Sequence, residues 1–502
     1  MRADAHTPTI NMDLLRSIFW RAIRCPSRVA IVDDRRTYTY GKVMLGSLHM
    51  AGHIERETSN PHVGLMLPTS GVMALSLLGT WLAGRVAVPL NYLLSADEIN
   101  KIIDDSGIDT IVTVGPLLDL LGLAGKLPPR IKIVKVETLS FEGFPPLRWP
   151  GDFSADDLAV ILYTSGTSGQ PKGVMLTHGN LYQNVVKSIE HAGLKSADAF
   201  LGVLPQFHSF GLTVLTLIPL YLGAKVIYTA RFVPKKLLEL MREHRPDVFI
   251  AVPSMYNALL GVKNVSADDF KSLRLAVSGG EPLPEAVFKT YRDKMNVKML
   301  EGYGLTETSP VACWSAPHSA KRFSVGLPLP GVSIRIVDDE GRVVPAGQSG
   351  EILIAGHNIM KGYYRQAAMT AEVTTQLEGK RYFKTGDIGH VDTEGFLFIT
   401  GRKKEAMKIG GMLVFPRSIE EAINQHPAVK DSAVIGKPDE VRGEVAVAYV
   451  EIREGHTFDE MSIRAFCRDH LAQYKVPREI YAIPQLPRSP TGKILRRKLM
   501  EK

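Results

Sequence analysis

Two rhythms of hydrophobic and polar positions divide this chain. Short runs rich in β-branched and aliphatic residues, at 158–163, 225–228, 248–252, 273–277 and 297–299, are separated by helical stretches such as 234–243 and 283–295. Such alternation predicts βαβ units, with sheets flanked by helices. After Gly326 the style changes. Runs at 333–338, 350–354 and 396–400 read as hairpin strands, with turn residues Asp338-Asp339-Glu340-Gly341 and Asp392-Thr393-Glu394-Gly395 between them. The last hundred residues read as α+β: a helix near 416–424, strands near 429–436 and 444–451, and a helix near 461–472. A boundary is expected at Gly401-Arg402-Lys403-Lys404, a glycine and polar residues after the last hairpin. The expected architecture is therefore α/β, with a large multi-sheet N-terminal domain over 1–401 and a small α+β C-terminal domain over 402–502. No internal repeat or low-complexity segment interrupts it.

Residues 63–84 contain no charged side chain, a length that raises the question of a membrane span. The turn Pro68-Thr69-Ser70-Gly71 divides this stretch into a strand at 63–67 and an apolar helix at 72–82. In lipid that turn would leave backbone groups unpaired, so no span is expected.

Composition narrows the class. With 502 residues the chain exceeds one ordinary core, and 45% hydrophobic against 22% charged residues is the balance of a globular protein. The net charge of +8 suits anionic partners: nucleotides, an acidic carrier protein or, peripherally, a membrane surface. It lacks the dense basic runs of nucleic-acid binders. From Arg402 onward 19 Lys/Arg face 14 Asp/Glu, so more than half the surplus lies in the last fifth. Cys25, Cys313 and Cys467 are scattered, which excludes a disulfide framework and fits a reducing compartment. The N-terminus, charged at Arg2 and Asp4, has no apolar signal-peptide core, so a cytoplasmic protein is expected.

The strongest chemical signal is Tyr163-Thr164-Ser165-Gly166-Thr167-Ser168-Gly169-Gln170-Pro171-Lys172-Gly173, placed after an apolar strand. Three glycines let backbone approach an anion, four hydroxyls offer donors, and Lys172 supplies charge. The segment is a phosphate cradle in character, yet no G-x-x-x-x-G-K-[ST] pattern passes through Lys172. Composition alone also fits a mobile surface loop.

This segment resembles the phosphate loop of the adenylate-forming superfamily, which holds acyl-CoA synthetases, luciferases and peptide-synthetase adenylation domains. Further segments are similar to that superfamily's signatures and stand in its order. They are Tyr303-Gly304-Leu305-Thr306-Glu307-Thr308, Tyr382-Phe383-Lys384-Thr385-Gly386-Asp387, Gly401-Arg402-Lys403-Lys404-Glu405 and Pro490-Thr491-Gly492-Lys493. The resemblance runs from about 19 to 498.

It implies a role for each matched residue. Gly279, Gly280 and Glu281 present backbone to the adenine edge, and the Tyr303 ring, beside Gly304, stacks on its face. Thr306 binds the α-phosphate. Glu307 is a magnesium ligand, a hard oxygen for a hard cation. Asp387 accepts the ribose hydroxyls with Arg402 beside them. Lys493 meets the charge that gathers at carboxylate and α-phosphate during adenylation. Lys408, in Lys408-Ile409-Gly410-Gly411, faces the site once the small domain, a lid hinged near Lys404, has rotated for thioester formation. His208 lies near the substrate carboxylate; without the resemblance it reads as a core histidine. Ala406-Met407 departs from the usual bulky aliphatic pair and bears on how the lid packs.

The implied reaction is ATP-dependent and uses Mg2+ and coenzyme A: acid plus ATP gives acyl-AMP and pyrophosphate, and a thiol then displaces AMP. Splitting it makes sense because a carboxylate is a poor electrophile and the mixed anhydride a good one. No Asp precedes His208 where amino-acid-activating domains hold the α-amino group; Pro205-Gln206-Phe207 stands there. With the aliphatic run 212–222 this points to an apolar acid, medium- or long-chain fatty first, although such a run is also ordinary core. Aromatic or short-chain acids are alternatives. The segments Phe207–Thr213, Leu300-Glu301-Gly302-Tyr303-Gly304 and Asn358-Ile359-Met360-Lys361-Gly362-Tyr363 are also similar to acyl–acyl carrier protein synthetase modules, which leaves a carrier-protein acceptor open. A decayed, non-catalytic binder is opposed by intact Lys172, Glu307, Asp387 and Lys493, and nothing favours a luciferase-like oxidation.

Overall fold

A computed structural model describes residues 13–123, 125–165, 171–410, 412–439, 442–488 and 494–500. These residues form two compact units that interleave along the chain. One holds the chain up to Arg231 with Leu305–Val311 and His357–Thr370; the other holds Phe232–Gly304, Ala312–Gly356 and the chain from Ala371.

In the first unit a seven-stranded sheet is built, in spatial order, from Gly362–Tyr363, Pro171–Thr177, Leu158–Ser165, Val86–Pro89, His62–Met66, Thr110–Thr113 and Lys132–Lys135. From Leu158–Ser165 to Lys132–Lys135 neighbours run parallel, and the first two strands are antiparallel additions. Ala199–Gly202, Lys225–Tyr228 and Val29–Val32 form a second parallel run. The uncharged stretch resolves as expected into the strand His62–Met66 and the helix Gly71–Leu82. Ser70 starts that helix by accepting the Met73 N–H, and buried Trp81 anchors it by donating to the Ala159 carbonyl at 2.9 Å. Among the described residues no helix is long and apolar enough to cross a membrane.

Residues 210–222 do not form one regular helix. A π-helix, Phe210–Leu217, leads into the short α-helix Ile218–Leu222. Pro219 lacks an N–H, and Gly211 sits so close to the chain before it that a Cβ would lie 2.2 Å from the Pro205 carbonyl oxygen. Leu212, Val214, Leu215, Leu217, Ile218 and Leu220 are all buried, so the run is packed core.

In the second unit, Val248–Ala251, Leu275–Gly279 and Met299–Gly304 run parallel. The hairpin region forms an antiparallel sheet of Ser333–Val337, Gly350–Ala355, Lys380–Val391 and Thr374–Leu377, with Leu397–Arg402 against Lys380–Val391. Residues past the expected boundary carry a sheet of their own, including Met407–Ile409, Val429–Asp439 and Gly443–Ile452. Its core gathers Met407, Ile409, Ile419, Ile423, Val434, Val450 and Ile463. Met407, the unusual residue after the hinge, is thus a core side chain.

Candidate active site

The phosphate-loop segment lies between two antiparallel strands of the first unit, Leu158–Ser165 and Pro171–Thr177, with Thr164 opposite Lys172 and Tyr163 opposite Gly173. Gly166, Thr167, Ser168 and Gly169 lie outside the described residues. The Lys172 ammonium stands 5.6 Å from the centre of the Tyr363 ring, a cation–π distance. The Tyr363 hydroxyl in turn donates to Glu307 Oε1 at 2.8 Å. Burial and the Glu307 charge hold the Tyr363 phenol well above its ordinary range, so it stays a donor.

Thr306 and Glu307 form the 3-10 turn Thr306–Thr308, pinned from several sides. The Asn184 and Asn358 amides both donate to the Thr308 and Val311 carbonyls, at 2.7–3.3 Å. The Met360 N–H donates to the Glu307 carbonyl at 2.9 Å. The Thr306 hydroxyl accepts from Ser209 at 3.5 Å. Sequence reasoning quoted Asn358 and Tyr363 in a motif without giving either this function, and nothing in the local pattern marked Asn184.

His208 lies in the same unit, one residue before Ser209. Its ring is 4.7 Å from Phe207, whose ring is 5.0 Å from Tyr92. Burial pushes the imidazole down to about 4, so at neutral pH it is uncharged. Its Nε2 is buried with no hydrogen-bond partner among the described residues. Gln206 has a partner at each end: its oxygen accepts the Ser70 N–H at 2.8 Å and its nitrogen donates to Thr216 at 3.0 Å. Thr216 also meets the buried Tyr228 hydroxyl at 3.1 Å.

The second unit brings together the nucleoside residues of the sequence analysis. Strands Leu275–Gly279 and Met299–Gly304 are neighbours, with Gly279 opposite Gly302, so Gly279-Gly280-Glu281 leaves the sheet beside the strand bearing Tyr303 and Gly304. Gly280 has φ +82°, open to glycine at little cost. The Tyr303 hydroxyl donates to Asp387 Oδ2 at 2.6 Å, and Arg402 Nε meets Asp387 Oδ1 at 2.9 Å. Asp387 and Arg402 are cross-strand partners in an antiparallel pair, which explains how residues 15 positions apart share one carboxylate. Asp387 is buried, and its N–H donates to the Thr385 hydroxyl at 3.0 Å. Glu301, two residues before Tyr303, accepts from Arg322 at 3.1 Å. Burial is the largest influence on Glu301 and raises its carboxyl, with Arg322 pulling the other way.

Lys408 is exposed on the strand Met407–Ile409, with its N–H donating to Glu444 at 2.6 Å. Lys493 and Gly411 lie outside the described residues. Arg496, three residues beyond Lys493, bonds Glu420 at 2.8 Å and Glu405 at 3.0 Å. That links the end of the chain to the helix Pro416–Ile423 and to the residue after Lys404, a long-range pairing that local pattern does not reveal.

The carboxylate–phenol–lysine set of the first unit suits a polyphosphate with its cation, and the tyrosine–aspartate–arginine set of the second suits a nucleoside. Two family models match the chain, with Lys172, Tyr303, Glu307 and Tyr363 inside the first and Asp387 and Arg402 between the two. The one for AMP-binding enzymes matches residues 18–364, and the one for the AMP-binding enzyme C-terminal domain matches 418–493. The chain is an AMP-binding enzyme. It belongs to the adenylate-forming superfamily. A long-chain-fatty-acid–CoA ligase of Bacillus subtilis (strain 168) is 31% identical across 98% of this chain and 95% of that protein. A feruloyl-CoA synthase of an Amycolatopsis species is also 31% identical, across 95% of this chain and 96% of that protein. In structure this AMP-binding enzyme is similar to ATP-bound MatB from Rhodopseudomonas palustris, with TM-score 0.89, 30% identity and coverage of 98% and 99% of the two chains. It is also similar to the Bacillus subtilis o-succinylbenzoate coenzyme A synthetase with ATP and magnesium, with TM-score 0.85, 28% identity and coverage of 97% and 99%.

Proposed function

We propose that this AMP-binding enzyme is an AMP-forming acid–CoA ligase that uses ATP, Mg2+ and coenzyme A, with an apolar carboxylic acid as substrate. The observation that carries the reading is the buried Asp387, both of whose oxygens are already aimed by Tyr303 and Arg402. A carboxylate so placed suits the two hydroxyls of a ribose. On this reading Gly279, Gly280, Glu281, Tyr303 and Gly304 take the adenine, while Thr164, Ser165, Lys172 and Thr306 take the phosphates.

Glu307 fits Mg2+ that arrives with ATP. Tyr363 occupies one of its oxygens, and among the described residues no cluster of three or more His, Cys, Asp or Glu forms a resident metal site. One carboxylate completed by phosphate oxygens is the usual way a protein holds this cation. Bound there, Mg2+ would neutralise charge on the departing pyrophosphate. The chain's own part is to keep that carboxylate oriented through Tyr363, to present neutral His208 near the acid, and to bring Lys493 to the α-phosphate. Lys408 serves the second half-reaction after residues 402–502 turn about Lys404 as a lid.

The acid is read as medium- or long-chain fatty. Gln206 is a buried neutral amide with a partner at each end, so no carboxylate stands there for an ammonium group, and Phe207 and Tyr92 set an apolar face beside His208. Residues 212–222 add no support because they are packed core. An aromatic acid is the second reading, favoured by the same ring cluster and by the feruloyl-CoA relative. A chain-length series of acids, with ferulate and a free amino acid alongside, tests the choice at fixed ATP and coenzyme A. Each added methylene within the pocket contributes about 0.8 kcal/mol, so two carbons improve kcat/KM by roughly tenfold. A maximum at two or three carbons, or at ferulate, rejects the fatty acid.

A further inference from the structure

The first unit carries an exposed aromatic surface that none of this chemistry uses. The helix Leu14–Arg24 presents Trp20 and Ile23 outward, and Trp20 packs edge-on against Trp149 at 5.2 Å between ring centres. Trp149 belongs to the loop 139–152, whose most exposed large apolar side chains are Phe144, at 93%, and Leu147, at 84%. This loop is tied down on either side of Phe144 and Leu147. The Ser140 carbonyl meets His53 at 2.8 Å, Arg148 pairs with Glu55 at 2.8 Å, and the Pro150 carbonyl accepts two bonds from Arg16 at 3.3 Å. Phe144 and Leu147 are therefore held into water by an anchored backbone, where each has lost the burial an apolar side chain seeks.

The helix beside these rings carries charge of one sign, while the loop brings the acids Glu142 and Asp152, the latter paired with Arg16. From Leu14 to Arg28 the chain has four arginines and no acid. Arg16 is committed to Asp13 and Asp152. Arg21, Arg24 and Arg28 have no carboxylate partner among the described residues; Arg24 lies 5.8 Å from the Trp20 ring centre, and Arg21 and Arg28 reach only backbone carbonyls. Tryptophans at a rim, protruding Phe and Leu, and arginines free to meet phosphates are the side chains that a lipid–water interface accommodates.

We propose that this surface docks the enzyme onto an anionic lipid bilayer, with Phe144 and Leu147 entering the acyl boundary, Trp20 and Trp149 at headgroup level, and Arg21 and Arg24 on lipid phosphates. Charge complementarity and the projecting apolar pair favour a bilayer over a folded protein, whose surface would need a matching cleft. The proposal stands independently of which acid the enzyme activates.

The test uses the purified full chain with phosphatidylcholine vesicles prepared with and without phosphatidylglycerol. Sedimentation reads binding, and quenching by brominated lipid reads depth. Of the four tryptophans, Trp81 and Trp314 are buried, so quenching reports Trp20 and Trp149. Binding is expected to favour the anionic vesicles, to weaken with salt, and to be accompanied by quenching. Arg24→Glu should weaken it at least about fivefold, and the double change Phe144→Ser with Leu147→Ser roughly tenfold or more. Both variants alter exposed side chains, so their melting temperatures and pyrophosphate release with a water-soluble acid should match the parent. Equal binding to both vesicle types, or binding untouched by either variant, overturns the proposal. So does a dimer in light scattering that Phe144→Ser with Leu147→Ser dissociates while vesicle binding stays unchanged; the surface would then join copies of the chain.

Discussion

Replacing Tyr363 by phenylalanine removes one oxygen atom and, with it, the 2.8 Å bond that aims the Glu307 carboxylate. The ring remains, so the Lys172 contact at 5.6 Å survives, as does the Tyr363 N–H bond to Thr370 at 2.9 Å. The fold should be unaffected. A hydrogen bond to a charged group is worth about 1.5–3 kcal/mol. If Glu307 orients Mg-ATP only when so held, that loss appears in the adenylation step. At 1.4 kcal/mol per factor of ten, kcat/KM for Mg-ATP should fall about tenfold to a hundredfold. Pyrophosphate release should show the loss with an increased requirement for Mg2+, while thioester formation from supplied acyl-AMP should change little. Unaltered Mg2+ dependence with undiminished pyrophosphate release would refute the reasoning. Tyr363 would then be a packing residue and Glu307 would need another explanation.

The two lysines should separate the half-reactions. Lys493→Ala should reduce pyrophosphate formation by roughly two orders of magnitude or more and nearly spare thioester formation from acyl-AMP. Lys408→Ala should do the opposite, and equal loss in both steps for either variant removes its assignment. Buried His178, stacked on Phe153 at 4.1 Å, is pushed down to about 4 by burial. Between that value and an unfolded value near 6.5 the unfolded chain binds the extra proton. Its contribution is therefore present at neutral pH and is lost as the pH falls through this window, by about 2 kcal/mol from pH 7 to pH 5. Denaturant unfolding at both pH values should show that slope, and His178→Phe should flatten it; an unchanged slope would place the proton-linked loss elsewhere.

Much of the architecture was legible because the physics is local. Val, Ile and Leu runs bounded by glycine and proline gave strands such as Lys225–Tyr228 and Val248–Ala251. Asp-rich turns separated the hairpin strands, and the turn Pro68-Thr69-Ser70-Gly71 marked the break before the helix Gly71–Leu82. Asp387 and Glu307 could be singled out only because an ordered set of segments surrounds them. What was not legible is what depends on distant partners. No periodicity places Tyr363 on Glu307, Asn184 on Thr308, or Arg496 on Glu420. The run 212–222 had the composition of a pocket wall and of a core alike, and only its packing distinguishes them. The compact units are likewise discontinuous in sequence, since Leu305–Val311 and His357–Thr370 join the first one through long-range contacts.

The central claim is that an acid is activated as its adenylate before coenzyme A takes the acyl group. The most direct measurement is product identification with the purified enzyme, ATP, Mg2+ and a fatty acid, first without and then with coenzyme A. Pyrophosphate should appear with enzyme-held acyl-AMP in the first case, and one AMP with one acyl-CoA for each pyrophosphate in the second. Formation of ADP and phosphate, or pyrophosphate release that does not depend on the acid, would contradict the account.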